Sequence, residues 1–119
     1  MTKNLQNDVN DMNSMIQNGD IMGAFEKYYR EDVVIHENGS PPVRGKNENR
    51  KRGIKFLWEM EEVYSTEIKS VAFGKNLSMT EWTIGVKTKD GSRKSINRVN
   101  VQTWKNSKIS GERLYFCKE

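Results

Sequence analysis

The second half of the chain constrains the fold most, because it divides into four regular runs. In each run, β-branched and aromatic residues partly alternate with polar ones, which is typical of strands. The runs lie at 63–73, 77–89, 93–105 and 108–118. Of the turns between them, Asp90-Gly91 is a strong hairpin signal because both residues tolerate positive φ angles, and Asn106-Ser107 is a weaker one. The pattern predicts consecutive antiparallel hairpins.

The first half begins with two helical patterns. Apolar side chains recur at the spacing of one helix face, at Leu5, Val9, Met12 and Ile16. Gly19 suits the end of this helix, and Asp20 can cap the next by accepting a free backbone N–H. The second helix is predicted to end near 30–32, and its apolar side carries Ala24, Phe25, Tyr28 and Tyr29.

A short strand and a rigid turn follow. Residues 33–36 favour a strand, with His36 at its end, and both prolines of the chain lie in the turn after it, at Pro41 and Pro42. After Gly45 helix formers dominate again. The third helix is expected to present one face made of Ile54, Leu57, Trp58 and Glu61.

Helices followed by hairpins predict the α+β class, with helices packed against a curved antiparallel sheet. The 119 residues suit a single domain, 1–119. Only 34% of the residues are hydrophobic, but eleven aromatic residues supply much of the expected burial. We therefore expect a globular domain rather than a disordered chain.

Composition also argues against several classes of function. The apolar runs are too short for a membrane helix, and polar residues rather than an apolar signal segment follow Met1, so a cytoplasmic location is expected. One histidine and one cysteine, Cys117, do not make a metal site. The net charge of +4 comes from mixed charges, and the basic segment 47–52 lacks interleaved aromatics, so nucleic-acid binding is not expected.

Four segments carry a resemblance to a known superfamily. They are NGD at 18–20, FEKYYREDVVIHENGSPPVRGK at 25–46, EWTIGVKTKDG at 81–91 and VNVQTWKNSKISGERLYF at 99–116. Together, and in this order, they resemble the ketosteroid isomerase and SnoaL-like polyketide cyclase superfamily, also called the nuclear transport factor two-like cone fold. The chain looks most like the small SnoaL-like domain proteins. The resemblance implies a cone-shaped barrel with three N-terminal helices in the hollow of a strongly curved mixed or antiparallel sheet.

The resemblance also implies candidate catalytic positions. In the isomerases an acid shortly before a Gly-Ser pair is the general base; matching that pair to Gly39-Ser40 puts His36 at this position. Imidazole can also abstract a proton. The isomerases' oxyanion donor corresponds to Asn100 or Gln102, and their helper tyrosine has candidates only in Tyr28 or Tyr29. Glu37 is the alternative base.

Two readings of the sheet faces are open. Arg98, Asn100, Gln102 and Trp104 share one face of their strand, and Val99 and Val101 the other. Alternation alone makes the valine face the core. The resemblance instead makes the polar face line a pocket and puts the valines at a dimer interface. By the same logic Leu77, Met79 and Glu81 would lie inside, and the outer face would carry Trp82, Ile84 and Val86.

Glu112 is predicted to lie among inward apolar residues of the last strand, where Ser110, Glu112, Leu114 and Phe116 alternate with the outward Ile109, Gly111, Arg113 and Tyr115. If Glu81 shares its cavity, repulsion should raise the pKa of one of the two acids. The alternative is a salt bridge with Arg98 or Arg113, or exposure at a sheet edge.

The resemblance implies an isomerase, or a cyclase or hydratase-type lyase, acting by proton transfer on a small, mostly apolar molecule without a cofactor. Its catalytic candidates are His36, Glu81, Gln102 and Glu112. The ligand-binding candidates are Tyr28, Glu37, Trp58, Arg98, Asn100 and Trp104. The alternative is a non-catalytic homodimeric module that uses the same pocket for binding, or a protein-interaction module.

Overall fold

A computed structural model describes residues 4–117 of the chain. The described part forms three helices and six strands in the order α-α-β-β-α-β-β-β-β. They are α1 (Leu5–Gln17), α2 (Ile21–Tyr28), β1 (Tyr29–Glu37), β2 (Val43–Arg44), α3 (Lys46–Glu59), β3 (Met60–Gly74), β4 (Leu77–Thr88), β5 (Arg93–Lys105) and β6 (Lys108–Cys117).

The six strands form one open mixed sheet in the order β2-β1-β6-β5-β4-β3. The four long strands are joined by antiparallel hairpins, as predicted, while β1 pairs with β6 in parallel. The predicted α+β class with a mixed sheet is confirmed. Asn106 and Ser107 both have positive φ angles, of 53° and 64°, which is the geometry of the tight turn expected there.

The first two helices begin as the pattern predicts. Val9 and Met12 of α1 are fully buried, and the Asp20 side chain accepts a hydrogen bond from the Gly23 N–H at 3.1 Å. The end of α2 differs from the prediction, because the helix stops at Tyr28 and β1 begins at once with Tyr29. Tyr29 pairs with Ile109 of β6, so a contact with a distant strand decides this boundary.

The residues predicted to form one face of α3 are not buried as a unit, because Leu57 is half-buried and Glu61 lies beyond the end of the helix. Trp58 is 72% exposed, and Ile54 is also exposed. Polar anchors set the rotation of the helix: Lys46 donates to the Glu26 carbonyl at 2.8 Å, and Asn49 donates to the carbonyls of Val43 and Gly45. Since both anchors are buried, the side of α3 opposite to them is left in solvent.

The predicted faces of β4 are also wrong. Trp82, Ile84 and Val86 are buried and Met79 and Glu81 are exposed. Register explains the difference: β4 is paired so that Ser78, Thr80 and Trp82 stand opposite Gln102, Asn100 and Arg98. Residues directly opposite each other share a face of the sheet. The inner face therefore carries Trp82 together with the polar row of β5.

A bulge changes the parity at the start of β6. The register shifts between Thr103 and Trp104, so that Trp104 pairs with Ile109 and Thr103 with Gly111. Ile109, predicted to face outward, is fully buried in the core with Val9, Met12 and Trp104. Beyond the bulge Glu112 and Leu114 face inward as predicted.

Candidate functional site

Buried polar side chains lie on the inner face where β5, β6 and β1 run side by side. Gln102 of β5 stands directly opposite Glu112 of β6. Gln102 is 2% exposed and Glu112 is 5% exposed. Tyr29, at the first position of β1, is buried beside them. Burial of such groups is stable only with hydrogen-bond partners.

Hydrogen bonds join these side chains into one network. The Tyr29 hydroxyl donates to Glu112 Oε2 at 2.5 Å, and the Gln102 amide donates to the same oxygen at 2.6 Å. The Gln102 amide oxygen accepts from Ser78, whose hydroxyl accepts from the Trp104 indole N–H at 2.9 Å. This chain of donors fixes which end of the Gln102 amide faces Glu112. Both donors reach Oε2, which leaves Oε1 of Glu112 to hold or receive a proton.

The burial of the network shifts the acidity of its members. Burial raises the pKa of Glu112, and the hydrogen bonds from Tyr29 and Gln102 oppose that rise. Burial and the neighbouring Glu112 carboxylate raise the pKa of Tyr29 well above its ordinary value. Tyr29 is therefore a hydrogen-bond donor at every physiological pH.

Arg98 brings a cation to the same face. It stands opposite Trp82, and burial lowers its pKa while the negative charge of Glu112 opposes that effect. The Nε atom of Arg98 is buried and has no hydrogen-bond partner among residues 4–117, and the same holds for Oδ1 of Asn100. On this face of the sheet, one buried donor and one buried acceptor therefore lack a hydrogen-bond partner among residues 4–117.

A half-buried ion pair borders this region. Glu37, at the end of β1, bonds Arg52 of α3, and both influence the pKa of Arg98. Their side chains are 36% and 30% exposed, so solvent reaches the region from this side. We call six of the residues on this face and at its border the interior polar cluster: Tyr29, Glu37, Arg52, Arg98, Gln102 and Glu112.

Arg52 was missed by sequence reasoning. It lies in the basic segment 47–52, which reads as a solvated helix face. The available signal was its position three residues after Asn49, because residues at that spacing share a helix face. Only the buried position of Asn49 shows that this face is the inner one.

His36 lies outside the interior polar cluster. Val33 and Ile35 of β1 are buried, so His36 is exposed on the other face, opposite Arg113 of β6. The prediction that His36 faces the pocket is wrong, since strand parity turns Glu37 inward instead. Glu37, the alternative base, is the acid that the structure brings to the cluster.

The predicted pair of Glu81 and Glu112 is also wrong. Glu81 is exposed on the outer face, where its carboxylate accepts a hydrogen bond from Ser70 at 2.9 Å. The error follows from the reversed faces of β4, because one parity step moves a side chain to the opposite side of the sheet. Glu112 has Tyr29 and Gln102 as its close partners instead.

The remaining aromatic candidates lie elsewhere. Tyr28 and Trp104 are buried core residues whose rings meet edge to face at 5.8 Å, and the Tyr28 hydroxyl donates to Asp11. Trp58 is on the surface of α3, with the Lys89 ammonium 4.9 Å from its ring centre. Trp58 is therefore not a wall of the interior.

Two further properties bear on the kind of site. Within residues 4–117, no group of three His, Cys, Asp or Glu side chains is placed to hold a metal ion. In the same part of the chain, no helix combines the length and the apolar character needed to cross a membrane.

Comparison with models of protein families shows to which family the chain belongs. The model of the SnoaL-like domain matches residues 9–112, a range that includes every member of the interior polar cluster. The chain belongs to the SnoaL-like domain family. Among curated proteins, no match is found.

Solved structures agree with the SnoaL-like fold. A Mesorhizobium loti protein, provisionally described as a SnoaL-like polyketide cyclase, is 25% identical with a TM-score of 0.83, over 95% of this chain and 99% of that one. A provisionally described isomerase from Bacillus subtilis is 14% identical with a TM-score of 0.79, over 97% and 90%. An NTF2-like protein of unknown function from Cytophaga hutchinsonii is 15% identical with a TM-score of 0.78, over 96% and 100%. The last two show the fold alone.

Proposed function

We propose that this SnoaL-like protein binds a small, mostly apolar organic molecule whose carbonyl or carboxylate group meets the interior polar cluster. The observation that carries the proposal is the buried, unpaired Nε of Arg98 on the same face as the buried acid Glu112. A buried guanidinium N–H without a partner is unfavourable, and an oxygen of the ligand would satisfy it. Trp82, opposite Arg98, supplies apolar surface.

The same groups suit proton transfer next to a carbonyl. Glu112 in its ionised form would remove a proton from the carbon beside the carbonyl, and Arg98 would stabilise the negative oxygen of the resulting enolate. Return of the proton to a different carbon completes an isomerisation, so no cofactor is required. Burial raises the pKa of Glu112, which makes its carboxylate a stronger base.

The other cluster members would position these two. Tyr29 and Gln102 hold Glu112 through Oε2, so that Oε1 faces the reacting carbon. Glu37 is the second carboxylate, held at the border by Arg52. His36 and Glu81 have no part in this proposal, because both are exposed on the outer face.

Arg98→Met tests the binding step, with Arg113→Met as the matched control on the outer face. We expect 2-naphthoate to cause saturable NMR shifts at Tyr29, Gln102 and Glu112. Arg98→Met should weaken this binding at least about tenfold, because the buried charge-assisted hydrogen bond is lost, and Arg113→Met should leave it unchanged. Equal binding by Arg98→Met, or by naphthalene without its carboxylate, contradicts the proposal.

Solvent deuterium exchange into 2-tetralone, a ketone with acidic C–H bonds beside its carbonyl, tests the chemical step. We expect the protein to accelerate exchange and Glu112→Gln to abolish the acceleration, while 2-naphthoate binding persists. Binding without accelerated exchange would favour the second candidate, a non-catalytic binding module. That candidate is supported by the full hydrogen bonding of Glu112 Oε2, which also suits a purely structural acid.

A further inference from the structure

A groove on the surface of the protein lies away from the interior polar cluster. It is a groove of about 370 Å³ between the α1–α2 turn, the end of α3 and the start of β3. No member of the interior polar cluster lines it. Its volume falls in the range of about 300–1,000 Å³ that is usual for sites of small ligands.

The floor of the groove is apolar and well supported. Its apolar lining residues are all half-buried: Ile16, Ile21, Met22, Leu57, Met60 and Val63. Three of them, Ile16, Met60 and Val63, pack on the buried cluster of Trp82, Ile84 and Val86. A floor that rests on fully buried side chains keeps its shape, so the groove can receive an apolar chain without rearrangement.

The rim of the groove carries one sign of charge. Asp20, Glu61 and Glu62 line it, and no lysine or arginine does, although the whole chain has a net charge of +4. Asp20 caps α2 and Glu61 lies 3.7 Å from Lys87, whereas Glu62 has no ion pair among residues 4–117. Tyr64, whose ring already faces the Arg93 guanidinium, lies beside Glu62 on the rim.

We infer that this groove binds a small aliphatic ammonium ion, with its charged end at Glu62 and its hydrocarbon chain on the apolar floor. The Glu62 carboxylate, which has no ion pair among residues 4–117, attracts an organic cation, while burial of the hydrocarbon favours the longer chains. An anion of the same length would meet three carboxylates. The inference is independent of the proposed function, since the two sites share no residue.

An NMR titration with hexylammonium tests the inference, with hexanoate and hexanol as probes of matched length. We expect hexylammonium to shift the amides of Ile21, Met22, Glu62 and Val63 saturably, and hexanoate to leave them unmoved. Replacing hexylammonium by butylammonium should weaken binding about fourfold for each CH₂ removed, if those groups are buried on the floor. Shifts confined to the interior polar cluster would overturn the assignment.

Glu62→Gln, with Glu67→Gln as its control, tests the charged end. Glu67 lies on the same strand but not in the groove. We expect Glu62→Gln to weaken hexylammonium binding about two- to fivefold, the range of an exposed ion pair, and Glu67→Gln to leave it unchanged. Wild-type affinity in Glu62→Gln, or equal affinity for hexylammonium and hexanol, would overturn the inference. Both variants change exposed side chains, so folding is expected to be retained.

Discussion

At the level of single residues, Glu112 shows how one buried acid depends on its neighbours. Its inward position follows from alternation in β6, but its partners do not. Tyr29 lies 83 positions away in the sequence and Gln102 lies on the adjacent strand. No spacing in the sequence predicts that both donate to one oxygen, because the parallel pairing of β1 with β6 brings Tyr29 there.

Glu112→Gln should remove part of the pH dependence of the free energy of unfolding. An acid whose pKa is raised on folding contributes stability below its unfolded pKa, near 4.5, and loses that contribution as the pH rises through the folded pKa. Glutamine does not ionise, and its oxygen can still accept from Tyr29 and Gln102. The stability of the wild type relative to Glu112→Gln should therefore fall as the pH rises above 4.5.

Urea unfolding at a series of pH values measures this difference. Glu81→Gln serves as the control, because Glu81 is exposed on the outer face. It should change the pH dependence little. A difference between wild type and Glu112→Gln that stays constant with pH would contradict the raised pKa of Glu112.

At the level of elements, the strands and their turns follow closely from local sequence. The four runs predicted from alternation correspond to β3, β4, β5 and β6, whose bounds are Met60–Gly74, Leu77–Thr88, Arg93–Lys105 and Lys108–Cys117. Turn chemistry is local, so Asp90-Gly91 and Asn106-Ser107 could be recognised without tertiary information. The rotation of α3 could not, because the buried side chains that set it, Lys46 and Asn49, are polar.

Ser107→Gly should stabilise the β5–β6 hairpin. Ser107 has a φ angle of 64°, which is unfavourable for a residue with a Cβ atom, and glycine after Asn106 gives the preferred sequence of this turn. The expected net gain in the free energy of unfolding is about 0.5–1 kcal/mol, because the greater chain entropy of glycine in the unfolded state offsets part of the relieved strain. Urea denaturation of both proteins measures it.

The matched control for this hairpin is Ser92→Gly. Ser92 follows Gly91 in another turn but does not have a positive φ angle. The substitution should therefore leave stability unchanged or lower it slightly. An equal gain in both variants would show that backbone strain at Ser107 is not the cause.

At the level of the whole molecule, the outer face of the sheet decides whether a second copy can pack on it. Trp82, Ile84 and Val86, which were expected there, are buried inside the chain. The outer face still carries a smaller apolar patch, because Met79 pairs with Val101 and Val99 pairs with Tyr115. Met79 and Tyr115 are exposed. The homodimer through this face stays a prediction, resting on fewer apolar residues than the sequence suggested.

Sedimentation velocity tests the homodimer. We expect the wild type to sediment as a dimer and the double variant Met79→Lys with Tyr115→Lys to sediment as a monomer, since a symmetric interface would bring the new charges together. Trp58→Ser removes an exposed aromatic side chain on α3 and should leave the dimer intact. A monomeric wild type, or loss of the dimer in Trp58→Ser, would contradict the assignment.

The sequence by itself determined the α+β class, the position of the long strands, the cap at Asp20 and the grouping of Asn100, Gln102 and Trp104 on one face of their strand. These features depend on local turn chemistry and on alternation within one strand. Only the tertiary structure decided that Glu37 rather than His36 faces inward, that Glu81 lies outside, and that Tyr29 bonds Glu112 on the face that also carries Arg98. The physical reason is that a sheet register sets which face each strand buries, and a shift of one residue turns every side chain to the other side.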